Sequence, residues 1–245
     1  MGMEPSEVFA CSFFEQLGFS VNKIPEAEGK RADLAVQDGI AEYIVEVKEK
    51  LDTGSQLNWS QGSYSDSGRK IASEPHSTSN RLDGIIKDAR RQLASTPAST
   101  TALRLIFLVF TGPGADMFVR RALFTFYGVQ QVVPNDGEGD GLNCVYFHNS
   151  LAFNLKDVDG LILMENEELQ LCLNEFSANY SSMQESKLTL SMGGAIYDPA
   201  RFAHDDGVVV LRSDISRRNE EEVLKELKRQ AGIAYHTITL NRFYL

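Results

Sequence analysis

The sequence predicts a mixed α/β protein in which helices cover a small sheet. Two observations support this class: the composition is that of a globular protein, and segments of helical and strand periodicity alternate along the chain. The chain has 245 residues, of which 42% are hydrophobic and 24% are charged, so it can bury a sizeable core. No apolar run approaches the roughly 18 residues that span a bilayer, and the first residues lack the pattern of a signal peptide. We therefore expect a cytoplasmic protein that does not bind membranes.

The first elements of the chain read as a helix followed by strands. Residues 5–17 carry apolar side chains at helical spacing, with Pro5 in the first turn and Gly18 at the end, which predicts a helix. Residues 19–21 predict a short strand. Two β-rich segments around an Asp-Gly turn predict a hairpin, and they comprise residues 33–36 and 42–48.

A long polar segment and three further elements follow. Residues 52–80 are rich in Ser, Gly, Asn and Gln, and we expect this loop to act as a mobile flap. An apolar stripe predicts a helix over residues 80–95, with Asn80 at its start. The almost continuously apolar residues 103–110 predict a buried strand. A helix over 118–127 and a strand over 129–133 complete this half.

The rest of the chain predicts an acidic α+β region. Its predicted strands cover residues 144–148, 158–164, 187–192, 208–212 and 236–240, and its predicted helices cover residues 167–176 and 220–231. The last helix has Asn219 as its cap, Glu222 three residues later and Gly232 after its end. We therefore predict two domains, a core over residues 1–135 and an extension over residues 136–245 that serves oligomerisation, partner binding or specificity.

Charge and metal-ligand content exclude several function classes. The net charge of −10 argues against a protein that coats nucleic acid with its whole surface. Residues 1–130 carry 14 basic and 16 acidic residues, net −2, whereas residues 131–245 carry 10 and 18, net −8, so a polyanion site is expected in the first half. The three cysteines and four histidines have no zinc-site spacing, and the cysteines read as reduced core residues.

Three charged residues converge on the predicted hairpin. Asp33 opens one strand, and Glu46 and Lys48 lie two residues apart on the other strand, so both point to one side of the sheet. Glu46 stands between two valines, where a bare carboxylate is costly unless a cation compensates it. Mg²⁺ accepts two carboxylates, a backbone carbonyl and waters as ligands.

The spacing Asp33, twelve residues, then Glu46-Val-Lys48 resembles the motif of the PD-(D/E)xK nuclease superfamily. Its restriction-endonuclease-like core has a helix, a hairpin that carries the motif, a helix and a strand, in the order found here. Glu7 on the first helix resembles the helix-one glutamate of Mrr-like restriction endonucleases and Holliday-junction resolvases. Gln92 resembles the glutamine or basic residue that the helix after the motif contributes. The resemblance covers about residues 4–133.

This resemblance implies Mg²⁺-dependent hydrolysis of phosphodiester bonds, with Mn²⁺ as a substitute for Mg²⁺. It implies that Asp33, Glu46 and the carbonyl of Val47 hold the metal, and that Lys48 orients the attacking water and neutralises the phosphate. Glu7 would support a second metal or its water shell. Three residues of the next helix would position substrate: Gln92, Lys87 and Arg91.

Each of these residues also has a purely structural interpretation. An acid in the first turn of a helix, such as Glu7, is stabilised by the helix dipole. Asp33 and Lys48 would also make a cross-strand ion pair. The three polar residues of the second predicted helix, Gln92, Lys87 and Arg91, would also lie on a solvated face.

Our first hypothesis is an endonuclease of restriction, phage defence or DNA repair, with DNA as the expected partner. A homodimer or a larger complex with a partner protein stays open. The alternatives are a catalytically silent nuclease-like module for binding or assembly, and a nuclease effector toxin.

Overall fold

The computed structural model describes residues 3–25, 30–51, 63–64, 70–75, 78–112, 115–136, 141–166, 168–202, 207–239 and 241–244. The helices of the described part are α1 (Pro5–Gln16), α2 (Asn80–Ser95), α3 (Ala115–Tyr127), α4 (Leu151–Asn154), α5 (Tyr180–Glu185), α6 (Lys187–Met192) and α7 (Glu220–Ala231). The strands are β1 (Ser20–Lys23), β2 (Leu34–Gln37), β3 (Glu42–Leu51), β4 (Ser63–Tyr64), β5 (Lys70–Pro75), β6 (Leu103–Thr111), β7 (Gln130–Pro134), β8 (Leu142–Val145), β9 (Gly160–Glu165), β10 (Glu168–Leu173), β11 (Ile196–Tyr197), β12 (Val208–Val210), β13 (Tyr235–Ile238) and β14 (Asn241–Tyr244).

The chain divides into two compact units. The first comprises Met1–Lys50, Arg81–Thr111 and Ala152–Asp198, and the second comprises Leu51–Asn80, Gly112–Leu151 and Pro199–Leu245. The boundary predicted between residues 135 and 136 does not coincide with this division, because β9, β10 and β11 complete the sheet of the first unit. The apolar β6 lies between β3 and β9, and it pairs with β9 in parallel. A strand whose two faces are both buried is expected to have neighbouring strands on both of its edges.

The first unit is built on a seven-stranded mixed sheet in the order β1-β2-β3-β6-β9-β10-β11. Strands β1, β2 and β3 are antiparallel, whereas β6 and β9 are parallel. Helices flank this sheet. The predicted α/β class is therefore confirmed, and the finer restriction-endonuclease-like arrangement stays a prediction.

Side-chain alternation along β3 separates the core from the candidate site. Tyr43, Val45 and Val47 join the hydrophobic core to which α1 contributes Cys11 and Phe14. Because successive side chains of a strand point to opposite faces, Glu46 and Lys48 point to the other face of the sheet. The Glu46 and Lys48 side chains therefore point away from this core.

The helix α1 begins as the sequence predicts. Glu4 and Glu7 form a reciprocal capping box, Pro5 occupies the first turn, and Gly18 follows the helix with a φ of 75°. Glycine adopts this left-handed conformation without strain. Helix α2, strand β6 and helix α7 also confirm their predictions.

Two predicted elements are wrong. Residues 167–176 were expected to be helical, but Glu168–Leu173 forms β10, paired antiparallel with β9 after a turn at Asn166, whose φ is 46°. Sheet pairing outweighs the moderate helix propensity of Glu, Leu and Gln here. Residues 187–192 were expected to be a strand, but they form α6, because the Ser186 side chain accepts a hydrogen bond from the Thr189 amide as an N-cap.

The second unit contains a four-stranded sheet, β12-β8-β7-β13, and a three-stranded sheet, β14-β5-β4. Its core joins β7 and β8 to α7. Asn219 caps α7 through the Glu221 amide, as its sequence pattern indicates. Of the flap expected over residues 52–80, only β4, β5 and residues 78–80 are described, and the rest lies outside the described residues.

Two sequence expectations concern membranes and cysteines. Among the helices that the structure describes, none has both the length and the apolar character to cross a bilayer. Cys11, Cys144 and Cys172 are all buried and free, in keeping with reduced core residues.

Replacement of Phe14 tests how α1 is held on the sheet. Phe14 is fully buried, and its ring lies 6.2 Å from that of Phe19 and 6.3 Å from that of Phe107, centroid to centroid. Phe14→Ala should lower the free energy of unfolding by roughly 3–5 kcal/mol. Phe9→Ala on the same helix is the matched control, because Phe9 is exposed, and it should change stability by about 0.5 kcal/mol or less. Equal losses in urea denaturation would contradict this packing.

Candidate functional site

The two carboxylates of the predicted motif are brought together by the β2–β3 pairing. Asp33 immediately precedes β2, and its amide donates to the Val45 carbonyl over 3.1 Å. Its Oδ2 accepts a hydrogen bond of 2.8 Å from the Val47 amide. Asp33 is thereby tied to the backbone on both sides of Glu46. The sequence spacing predicted this convergence.

Glu46 is the most unusual residue of the site, because a carboxyl group with 0% exposure lies inside the sheet. The Lys48 ammonium contacts its Oε1 as an ion-pair partner. Neither carboxyl oxygen has a well-aligned hydrogen-bond donor among the described residues. Burial raises the pKa of Glu46 to about 8; Lys48 opposes this rise, and the Asp33 carboxylate adds to it. Burial also raises the pKa of Asp33, against the Val47 amide and Lys48.

Asp33 and Lys48 line a cavity of about 430 Å³ in the first unit, whereas the buried Glu46 and Val47 are not part of its lining. Its lining brings together four residues that the sequence predicted for the site and six that it did not: Glu7, Asp33, Lys48 and Gln92, then Lys23, Ile24, Pro25, Lys30, Arg31 and Ala32. Four side chains of the lining are basic and two are acidic. The described part of the lining therefore carries a positive balance of charge, in a chain whose net charge is −10.

Glu7 lies in the first turn of α1 and is almost completely buried. Its Oε2 accepts a hydrogen bond of 3.0 Å from the Glu4 amide and an ion-pair contact of 2.6 Å from the Lys23 ammonium. Glu7 thus caps the start of α1, in agreement with its structural interpretation, and it also lines the cavity. Lys23 on β1 and the Glu4 amide thus hold the same carboxylate oxygen.

The predicted residues of α2 separate into two groups. Gln92 is buried and lines the cavity. Lys87 and Arg91 do not line it, and their side chains are 54% and 71% exposed. Each makes an ion pair of 2.8 Å on its own helix, with Asp83 and Asp88 respectively. The interpretation of Lys87 and Arg91 as a solvated helix face fits this placement.

The end of α2 anchors the segment that leads to Asp33. The Thr96 hydroxyl accepts from the Ala32 amide and donates to the Gln92 carbonyl, each over 2.7 Å. The Ser95 hydroxyl donates to the Lys30 carbonyl. These hydroxyl groups connect the backbone before Asp33 to the helix that carries Gln92.

Sequence reasoning missed Lys23, Lys30 and Arg31. The available signal was the presence of three basic residues between the start of β1 and Asp33 in an acidic chain. None of the three belongs to the nuclease motif, so the motif alone does not assign them to the site.

The donor set fits a hard divalent cation. Asp33 and the under-coordinated Glu46 offer oxygen ligands, which Mg²⁺ and Mn²⁺ prefer. Among the residues described, no three side chains of the His, Cys, Asp and Glu types group as a metal site. A cation here would therefore need backbone carbonyl and water oxygens besides the two carboxylates. The carbonyl of Val47 stays the predicted backbone ligand.

Comparisons of the chain with protein-family models, with curated proteins and with solved structures find no match. The function is therefore inferred from the geometry and chemistry of the site.

The raised pKa of Glu46 predicts a specific dependence of stability on pH. The folded state keeps a proton that the unfolded chain releases as the pH rises from the ordinary value of 4.5 to about 8. As the pH rises through this range, the free energy of unfolding therefore falls. In EDTA, the free energy of unfolding of the wild type should fall relative to Glu46→Gln between about pH 5 and pH 9. Parallel profiles of the two proteins would contradict the burial of Glu46.

Replacement of Thr96 tests the anchor of the Asp33 segment. Thr96→Val removes the acceptor of the Ala32 amide, and an unsatisfied buried amide costs roughly 1–3 kcal/mol. Thr96→Ser keeps the hydroxyl and should retain most of that free energy of unfolding. Equal stability of the Val and Ser variants in urea would show that this hydrogen bond contributes nothing.

Proposed function

We propose that the protein is a metal-dependent nuclease that hydrolyses phosphodiester bonds, with DNA as the first expected substrate. The observation that carries this proposal is the buried, under-coordinated Glu46 next to Asp33 and Lys48, beside a cavity with a basic majority. Replacing a buried ionic group with an apolar one is often neutral or stabilising, so the fold alone gives no reason for this carboxyl group. A catalytic role gives a physical reason for its presence.

Asp33 and Glu46 would hold Mg²⁺ or Mn²⁺. When bound, such a cation supplies positive charge to the phosphate and lowers the pKa of a coordinated water. Lys48 lies next to both carboxylates, where its ammonium can donate hydrogen bonds to a phosphate oxygen or orient the attacking water. Glu7 and Gln92, on separate helices, present an acceptor and an amide to the same cavity.

A catalytically silent binding module is the second candidate. It is favoured by the ion pairs of Lys48 with Glu46 and of Lys23 with Glu7, because each acid then has a cation from the chain itself. In this case the cavity would bind an anion without cutting it.

We also propose that a homodimer or a complex with a partner protein strengthens the binding of nucleic acid. Four basic side chains in one cavity neutralise few phosphates, and the net charge of −10 opposes wider contact with nucleic acid. A second copy or a partner would add the missing contacts.

Cleavage assays with Glu46→Gln test the nuclease proposal. Purified protein is incubated with supercoiled, linear and branched DNA and with single-stranded RNA, in Mg²⁺, Mn²⁺ or EDTA. We expect metal-dependent cleavage, reduced about a hundredfold or more by Glu46→Gln, since the variant loses a charged ligand. Glu49→Gln is the matched control, because Glu49 lies on the same strand, is exposed and does not line the cavity.

Two results would contradict the nuclease proposal. One is cleavage that Glu46→Gln and Glu49→Gln affect equally, which would place the activity elsewhere or in a contaminant. The other is absence of cleavage on every substrate by folded wild-type protein. If that protein still binds nucleic acid, the binding module becomes the better interpretation.

A further inference from the structure

We propose that Lys30 and Arg31 form a phosphate-binding subsite that holds a backbone phosphate of the nucleic-acid strand beside the Asp33 and Glu46 centre. The inference rests on the proposed function and assigns strand recognition to residues outside the nuclease motif. It also predicts that this recognition is independent of base sequence.

The position of Lys30 and Arg31 supports this role. Both residues are exposed, both line the cavity, and only Ala32 separates them from Asp33. Neither side chain makes an ion pair or hydrogen bond with any residue that the structure describes. Their charge is therefore not neutralised by the described part of the chain.

The other basic residues nearby are engaged. Lys23 and Lys48 contact Glu7 and Glu46. On α2, Lys87 and Arg91 pair with acids of the same helix, and Arg90 donates to both oxygens of Asp157 over 3.1 and 2.8 Å. Lys30 and Arg31 thus differ from these cations in both location and pairing.

The backbone that carries the two cations is fixed. The Ser95 hydroxyl binds the Lys30 carbonyl, and Thr96 binds the Ala32 amide. The Asp33 carbonyl accepts from the Ile24 amide over 2.8 Å. A ligand therefore orders only the two side chains, which lowers the entropic cost of binding.

The chemistry of the lining indicates phosphate rather than base recognition. Arginine presents a planar fork that matches two phosphate oxygens, and lysine adds a compact charge. Ile24, Pro25 and Ala32 are the apolar members of the described lining, and none of them is aromatic, so none offers the flat face on which bases stack. Contacts to phosphates position a strand without reading its sequence.

The test compares two double variants that remove the same charge. Lys30→Ala with Arg31→Ala removes the proposed subsite, and Lys225→Ala with Lys228→Ala removes two exposed cations of α7 that do not line the cavity. Binding of a labelled DNA duplex is measured by fluorescence anisotropy in EDTA, over a series of salt concentrations and with two unrelated sequences. Circular dichroism checks that each protein is folded.

Each phosphate contact contributes about 0.9 to the slope of log K against log salt concentration for duplex DNA. The Lys30/Arg31 variant should therefore lose nearly two units of slope and bind at least about tenfold more weakly at low salt, equally for both sequences. The Lys225/Lys228 variant should retain the wild-type slope.

Three outcomes overturn the subsite: an unchanged slope in the Lys30/Arg31 variant, an equal loss in the Lys225/Lys228 variant, and no measurable binding by the wild type. Failure of the subsite and failure of the nuclease proposal are distinguishable. If the wild type shows metal-dependent cleavage but the Lys30/Arg31 variant has an unchanged slope, only the subsite proposal is contradicted. If the Lys30/Arg31 variant has a reduced slope but the wild type cuts no substrate, only the nuclease proposal is contradicted.

Discussion

The burial of the Glu46 carboxyl group within the central sheet is the constraint on which the site depends. Strand β3 must present Val45 and Val47 to the core beneath α1, so the intervening side chain is directed to the other face. There it is removed from water, which raises its pKa to about 8. An apolar residue would meet the packing demand at lower cost. The position is therefore better explained by a ligand that the carboxylate serves than by stability.

The surrounding elements hold the site through backbone contacts. The Val47 amide fixes Asp33 next to Glu46, and Thr96 joins the preceding segment to the end of α2. The reciprocal cap at the start of α1 holds Glu7. Hydrogen bonds to the main chain restrict these groups before any ligand arrives, which is the condition for efficient electrostatic stabilisation. The site is consequently assembled from strands, helix ends and one anchored segment.

Local patterns were sufficient for the elements that build the motif, and insufficient for the long-range arrangement. The capping residues of α1 and the apolar stripe of α2 determine those helices from nearby sequence, and the two-residue spacing of Glu46 and Lys48 places both on one face. The sequence of β10 is compatible with a helix, and only its pairing with β9 makes it a strand. For the same reason the return of residues 152–198 to the first sheet could not be read from periodicity. Lys30 and Arg31 belong to no periodic element, so only the fold reveals their position in the cavity.

The contrast between a chain with a net charge of −10 and a cavity with a basic majority constrains how a polyanion would bind. Repulsion from the wider surface weakens contacts outside the cavity, so affinity must come from a small number of phosphates close to Asp33 and Glu46. Cations there also offset the charge of the carboxylates, which would otherwise repel the phosphate that has to approach them. Local attraction and global repulsion together favour binding in which the strand reaches the cavity, and disfavour adsorption elsewhere on the protein. An acidic surface is therefore compatible with the proposed nuclease site and would limit where on the chain a polyanionic substrate binds.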